Sequence, residues 1–227
     1  QDIAFFSTLY MFARKHRIKY VLTGGNYSTE CCREPEEWGA YPGIDKTLIL
    51  DIHSRFGGRP LDTFPIVDIF IYKVLYQKFL GMEIVRPLNL VPYIKADAEA
   101  ELESRFGWVR FQHKHHESRF TRFYEDYWMP RKFGYQKRRA HFSSLILTGQ
   151  IQRDTALDRL SRPEMSEQFL EQEFLYVANK LGLSVDELQG IFEGENKTYR
   201  DYKNKRWAIG VGAEVMRRLG LERRLFR

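Results

Sequence analysis

The chain has 227 residues, 43% of them hydrophobic and 15% aromatic, with two cysteines and a formal net charge of +6. A chain of this length buries roughly 70–75% of its unfolded surface, so it needs no disulfide staples, and the adjacent pair Cys31-Cys32 offers no Cys-x-x-Cys metal knuckle. No stretch approaches the roughly 18 apolar residues of a membrane span and no signal peptide opens the sequence, so a cytoplasmic globular protein is expected.

Phe5, Leu9, Phe12 and Ala13 recur at helical spacing, and the apolar run Tyr20-Val21-Leu22 reads as a short strand. It ends in Thr23-Gly24-Gly25-Asn26. A helix feeding a strand that stops at a glycine-bearing turn is an α/β repeat, and ligands of such sheets sit at the carboxyl ends of the strands. Residues 27–62 read as a loop-rich insertion, with Leu48-Ile49-Leu50 as a candidate strand and turns at Pro42-Gly43 and Gly57-Gly58. Residues 70–79 predict an amphipathic helix stopped by Gly81, and residues 82–85 a second short strand. Residues 95–105, rich in Ala and Glu, predict a helix ended by Gly107. Residues 108–139 are expected to be irregular with short helices. A short helix over 154–160 follows. Leu170, Phe174, Val177 and Leu181 then make one stripe ending at Gly182. Ser184 with Glu187 forms a capping box for a helix that turns Val185, Leu188 and Phe192 inward.

The charge is unevenly placed. Residues 105–139 hold ten Lys/Arg against Glu117, Glu125 and Asp126, and residues 198–227 hold nine against three acids. Such concentration suits the phosphates of a nucleotide sugar, ATP or RNA; the plain alternative is a solvated basic face.

Four segments carry candidate chemistry. Thr23-Gly24-Gly25-Asn26 lets backbone N–H groups approach a nucleotide, although such a sequence is more often only a turn. Arg86-Pro87-Leu88 gains meaning from following the second strand. Glu117 to Phe123, with Lys114 just before it, places cations near hydroxyls and a carboxylate, as phosphate binding or a salt-bridged helix requires. In the segment 135–144, Lys137-Arg138-Arg139 joins His141 and Ser143, and a helix there would put Arg138, His141 and Phe142 on one face. Cys31 and Cys32 have no inferable catalytic partner. His113, His115 and His116 lack a ligand spacing that defines a metal centre, so no protein-held metal is expected.

Together these segments resemble the ATP-dependent N-acetyl sugar amidotransferases of surface-polysaccharide (LPS O-antigen) biosynthesis, members of the PP-loop superfamily. The resemblance covers nearly all of residues 1–205. Its most specific stretches are LTGGNYSTE with EEWGAYPGIDK, then HESRFTRFYEDYW, then KFGYQKRRAHFSSLILTGQIQRDTAL. The turn TGGN is similar to a nucleotide-contacting motif of PP-loop enzymes, and VRPLNLVPYIK to their later Arg-Pro-Leu segment. The family's Ser-Gly-Gly-x-Asp-Ser loop and its Cys-rich N-terminal segment have no counterpart, so the chain is expected to be a C-terminal portion, inactive alone.

The resemblance implies an α/β fold with a PP-loop parallel sheet, incomplete at the N-terminus and followed by a helical C-terminal region. Residues 1–107 would complete the nucleotide-binding domain, with the insertion at 27–62. Residues 108–205 would form a basic substrate-binding and helical region, and 206–227 a basic tail. The implied reaction converts an acetamido group into an acetamidino group, using ATP and Mg²⁺. A glutaminase similar to that of imidazole glycerol phosphate synthase would deliver the ammonia. The implied substrate is a nucleotide-activated N-acetyl sugar, with no nucleic acid and no membrane span.

Roles follow by motif. Thr23, Gly24, Gly25, Asn26, Glu30 and Arg86 would serve the nucleotide, with Glu30 and Glu37 near Mg²⁺ or ammonia. Trp38 would wall the sugar pocket. Lys114, Arg122, Lys137, Arg138 and Arg139 would grip phosphates and a sugar carboxylate. Glu117, Tyr135, His141 and Ser143 would make polar contacts or transfer protons, with Glu37, Glu117 and His141 as catalytic candidates. The glycine-bearing bend and the cationic stretch are expected to line one pocket. The alternatives are an RNA-modifying PP-loop enzyme (a tRNA thiolase or lysidine synthetase type) and a non-catalytic partner subunit.

Overall fold

A computed structural model describes residues 2–39, 41, 45–111, 116–218 and 220. In chain order the elements begin with α1 (Asp2–Lys15), β1 (Tyr20–Leu22), α2 (Tyr27–Glu30), α3 (Lys46–Phe56), a wide helix over Ile71–Phe79, β2 (Glu83–Val85) and α4 (Lys95–Phe106). Next come α5 (Arg119–Phe123), continued by a second wide helix over Tyr124–Phe133, and α6 (Lys137–Leu147). The remainder is α7 (Arg153–Ser161), α8 (Glu167–Leu181), α9 (Val185–Glu193) and α10 (Arg206–Arg218). These elements form two compact units. The first comprises Gln1–Gly25, Gly39–Leu90 and Lys197–Phe226; the second comprises Asn26–Trp38 and Val91–Asn196, with Arg227.

In the first unit β1 and β2 pair in parallel, Tyr20 opposite Glu83, Val21 opposite Ile84 and Leu22 opposite Val85. The crossover between them is long, as parallel pairing demands. Val21 is buried while Tyr20 and Leu22 are exposed. The core gathers Tyr10, Ala13, Val21, Val67, Tyr76 and Met82, with Phe6, Leu9, Tyr72 and Ile84 packed against it. The buried stripe of α1 therefore runs through 6, 9, 10 and 13: Leu9 and Ala13 face the core as expected, whereas Phe5 and Phe12 face solvent and Phe6 and Tyr10 take their place. Tyr10 and Tyr72 stack with centroids 4.4 Å apart, which fixes α1 on the wide helix.

Three further segments differ from expectation. Leu48-Ile49-Leu50 lies inside α3, not in a strand, because the buried Asp45 accepts from Thr47 N at 2.8 Å and Leu48 N at 3.3 Å and starts a helix there. The helix around 70–79 exists, but its turns are widened: Leu80 N bonds to Leu75 O at 2.9 Å, five residues back. Residues 206–218, read as tail, form α10. The chain just before it is clipped to the unit, where Asp45 Oδ2 accepts from Tyr41 OH at 2.6 Å and Lys205 N at 2.5 Å, and Lys205 Nζ meets the buried Asp68 at 2.8 Å.

The second unit has two small cores. Phe123, Phe174, Val177, Ala178 and Leu188 form one, with Tyr127, Trp128, Tyr176 and Leu183 around it. Phe142, Leu145 and Ala156 form the other. Ser184 and Glu187 make the expected capping box, and Gly107 and Gly182 end α4 and α8 in the left-handed region that favours glycine. Leu181 and Val185 are exposed, however, while Phe192 packs edge-on against Trp128 at 5.1 Å. The segment 108–139, expected to be irregular with short helices, is largely helical after residue 118. Pro130 sits within the wide helix, whose ladder is already opened.

Candidate functional site

The first unit brings two of the motifs to one edge. Leu22 and Val85 are partners at the carboxyl ends of β1 and β2, so Thr23 and Arg86 leave the sheet side by side. Thr23 N extends the ladder by bonding to Val85 O at 2.9 Å. Arg86 then enters the turn Pro87–Asn89. Its charge reaches Tyr72, whose phenol burial and the Tyr10 contact push up and Arg86 pulls back down. Gly24 needs no left-handed backbone, and a Cβ built on it meets no atom beyond its chain neighbours within 4 Å. The fold itself thus tolerates a larger residue there.

In the second unit α2 and the residues after it are stitched to α6. Asn26 is buried and caps α2, its Oδ1 accepting from Thr29 N at 2.9 Å and Thr29 Oγ1 at 3.2 Å. Ser144 Oγ accepts from Cys32 N at 3.0 Å and donates to Ala140 O at 3.1 Å. Ser28 O accepts from Thr148 Oγ1 at 2.7 Å and Gln150 Nε2 at 3.0 Å. The Cys32 thiol is pushed up by burial, which disfavours the thiolate form a nucleophile needs.

This packing assembles an aromatic platform. Trp38 and Tyr135 stack at 5.3 Å and 19°, Phe133 stacks on Tyr135 at 6.0 Å, and Tyr135 OH donates to Glu37 O at 2.6 Å. Lys137, at the start of α6, pairs with Glu34. Glu37, Trp38, Tyr135 and Lys137 are therefore neighbours although about a hundred residues separate the two pairs in the chain. Arg139 and Ser143 are exposed at i,i+4 on α6, whereas His141 is half-buried beside Phe142. Glu30 ends α2 and, after burial and Glu99, raises the Tyr93 phenol. Glu117 is exposed. Lys114, with His113 and His115, lies outside the described residues.

Two more of the predicted cations, besides Lys137, hold protein groups. Arg122 NH2 contacts Glu173 Oε2 at 3.0 Å. The Arg138 guanidinium donates to Arg159 O at 3.1 Å, Arg162 O at 3.2 Å and Glu164 Oε1 at 3.3 Å, tying α6 to the end of α7. Arg138→Ala is therefore expected to lower the unfolding free energy by about 1.5–3 kcal/mol, read as a lower urea midpoint at unchanged m. A tenfold rise in sugar-nucleotide KM at unchanged stability would instead identify a direct phosphate contact.

Sequence reasoning missed Ser144, Asp45 and Glu173. Glu173 did leave a signal, since it stands three residues after Leu170, inside the apolar stripe of α8. It is fully buried and accepts from Arg119 Nε at 3.1 Å and from Arg122. Burial alone would raise its carboxyl, but the hydrogen bonds and charges of both arginines hold it below the ordinary value.

No curated protein and no solved structure matches the chain. Among the described residues no helix is long and apolar enough to cross a membrane. One sequence family does match, described as LPS biosynthesis protein WbpG-like, C-terminal domain, over residues 117–216. The match runs past residue 205 through most of α10, so it takes in Glu173, Lys205 and the amphipathic last helix. From α5 to α10 the chain is thus similar to the C-terminal domain of WbpG-like lipopolysaccharide-biosynthesis proteins.

Proposed function

We propose that the chain belongs to a PP-loop enzyme that converts a sugar acetamido group into an acetamidino group, with ATP as activating substrate and ammonia as nucleophile. The observation that carries this reading is the pairing of β1 with β2, which sets Thr23-Gly24-Gly25 and Arg86 side by side at one strand edge. Carboxyl edges of parallel strands are where α/β sheets hold ligands. The WbpG-like match supports the lipopolysaccharide context.

An amide carbonyl is a poor electrophile. In the proposed reaction its oxygen attacks the α-phosphate of ATP and pyrophosphate leaves. Ammonia then adds to the activated carbon, AMP departs carrying the former amide oxygen, and a proton is lost to give the amidine. The Gly24-Gly25 turn would receive the adenylate and Arg86 would hold phosphate. The Trp38–Tyr135 stack offers an apolar face for a sugar ring, with Arg139 and Ser143 for its phosphates and hydroxyls. Glu37, on the surface beside Trp38, and Glu30 are oxygen donors of the kind Mg²⁺ takes. A glutaminase subunit would deliver ammonia where water is kept out.

The RNA-modifying alternative requires cations free to meet a phosphate backbone. Instead Arg119 and Arg122 pair with Glu173, Arg131 with Glu167, Lys137 with Glu34 and Arg138 with Glu164. Much of the basic segment is neutralised within the unit, which favours a small charged saccharide.

The test is mass spectrometry of UDP-N-acetyl sugars incubated with ATP, heavy-nitrogen ammonium and the protein expressed from its complete reading frame. The expected product has lost oxygen, gained one heavy nitrogen and formed with one AMP per turnover. ATP hydrolysis without nitrogen transfer, or modification of tRNA in place of the sugar, would refute the assignment.

A further inference from the structure

We infer that His116, Asp126 and Glu164 form a binding site for one divalent first-row transition metal ion of the Zn²⁺ or Mn²⁺ class. Three separate segments supply the donors: His116 precedes α5, Asp126 stands on the wide helix Tyr124–Phe133, and Glu164 follows α7. His116 Nε2 lies 2.8 Å from Asp126 Oδ2 and 3.6 Å from Glu164 Oε2. All three donor atoms fall within 4.8 Å of one another. The side chains are only 8%, 13% and 12% exposed, so this is a built interior cluster and not a surface patch of acids.

The spacing fits coordination. Donors about 2.1 Å from an ion stand about 3.0 Å apart along an octahedral edge and about 3.4 Å along a tetrahedral one. The two nitrogen–oxygen separations, 2.8 and 3.6 Å, bracket those values. Two carboxylates also face a single imidazole nitrogen. One N–H directs its hydrogen at one oxygen, and the separation from Glu164 exceeds hydrogen-bond length. A cation at the centre meets all three lone pairs at once.

The surroundings hold the ligands as metal sites require. Arg138 NH1 reaches the other oxygen of Glu164, Oε1, at 3.3 Å, and is itself fixed by the carbonyls of Arg159 and Arg162. Such outer hydrogen bonds orient ligating carboxylates. The widened helix sets the direction of Asp126, and widened turns of this kind recur at functional sites. A nitrogen donor disfavours Mg²⁺ and Ca²⁺, which take oxygen, and points to zinc, manganese or ferrous iron. Water or a substrate oxygen would complete the coordination. The inference uses none of the residues assigned to the nucleotide and stands whether or not the proposed reaction is correct.

The test is equilibrium dialysis of EDTA-stripped protein against ZnCl2 or MnCl2 at micromolar free metal, with metal counted by mass spectrometry. Close to one equivalent of at least one of the two ions is expected. Asp126→Asn and Glu164→Gln should each weaken its binding at least tenfold while far-UV circular dichroism shows the fold retained, and Cys31→Ser/Cys32→Ser should leave loading unchanged. Cobalt substituted into the wild-type protein provides a readout free of any folding defect in the variants. It should show d–d bands without a thiolate charge-transfer band. Loading well below stoichiometric with both ions, unaltered affinity in Glu164→Gln, or a thiolate band would overturn the assignment.

Discussion

Glu173→Ala should lower the unfolding free energy by about 3–5 kcal/mol, because removing one partner leaves buried positive charge uncompensated. Glu173 is 1% exposed and gathers Arg119 and Arg122 from α5 onto α8. The two arginines are not equivalent. The Arg122 side chain is 15% exposed and packs on Phe169, so it cannot escape to water; Arg119 is 46% exposed and can. Arg122→Ala should therefore cost more than Arg119→Ala. The double variant Glu173→Ala/Arg122→Ala should cost less than the sum of its parts. Urea denaturation of the four proteins measures all of these.

The same contact has a pH signature. The folded-state value of Glu173 is depressed, so its contribution is full above the ordinary carboxylate value and fades as pH falls through the folded value. Wild-type stability should decline below about pH 4.3, the ordinary glutamate value. Glu173→Gln should show a shallower decline over that range, with its main loss already present at neutral pH. Parallel acid curves for the two proteins would mean that Glu173 does not carry the linkage.

Gly24→Ala should leave the melting temperature unchanged and raise the KM for ATP at least tenfold. The asymmetry follows from the geometry: no left-handed backbone demands glycine at this position, and an added methyl touches nothing in the protein. An adenylate drawn up to this turn would meet that methyl directly. Arg86→Ala should act in the same direction by removing a phosphate contact. If Gly24→Ala alters stability and not KM, the glycine serves the turn alone.

The strand–turn–strand arrangement was legible because apolar runs ending in Gly-Gly and Arg-Pro-Leu are local signals. In α1 Leu9 and Ala13 were read correctly, but Phe5 and Phe12 were chosen over Phe6 and Tyr10 because all four are aromatic and composition alone does not choose between them. Leu48-Ile49-Leu50 misled for a different reason: three branched apolar residues suggest a strand, but Asp45 two positions ahead of Thr47 caps a helix. Widened turns leave no periodicity that sets them apart from an ordinary helix. The partners of the cations were hidden because Glu34, Glu164, Glu167 and Glu173 are distant in sequence, so a basic window looked free when it was paired. Trp38 was readable as a wall for a sugar and Tyr135 as a polar contact; their stacking was not.

Adenine nucleotide is expected to occupy the edge where β1 and β2 end. Photocrosslinking with 8-azido-ATP, followed by peptide mapping, tests this directly. Label confined to residues 20–26 and 82–90, and competed away by unlabelled ATP, is the predicted result; label spread elsewhere, or unaffected by competitor, would contradict it.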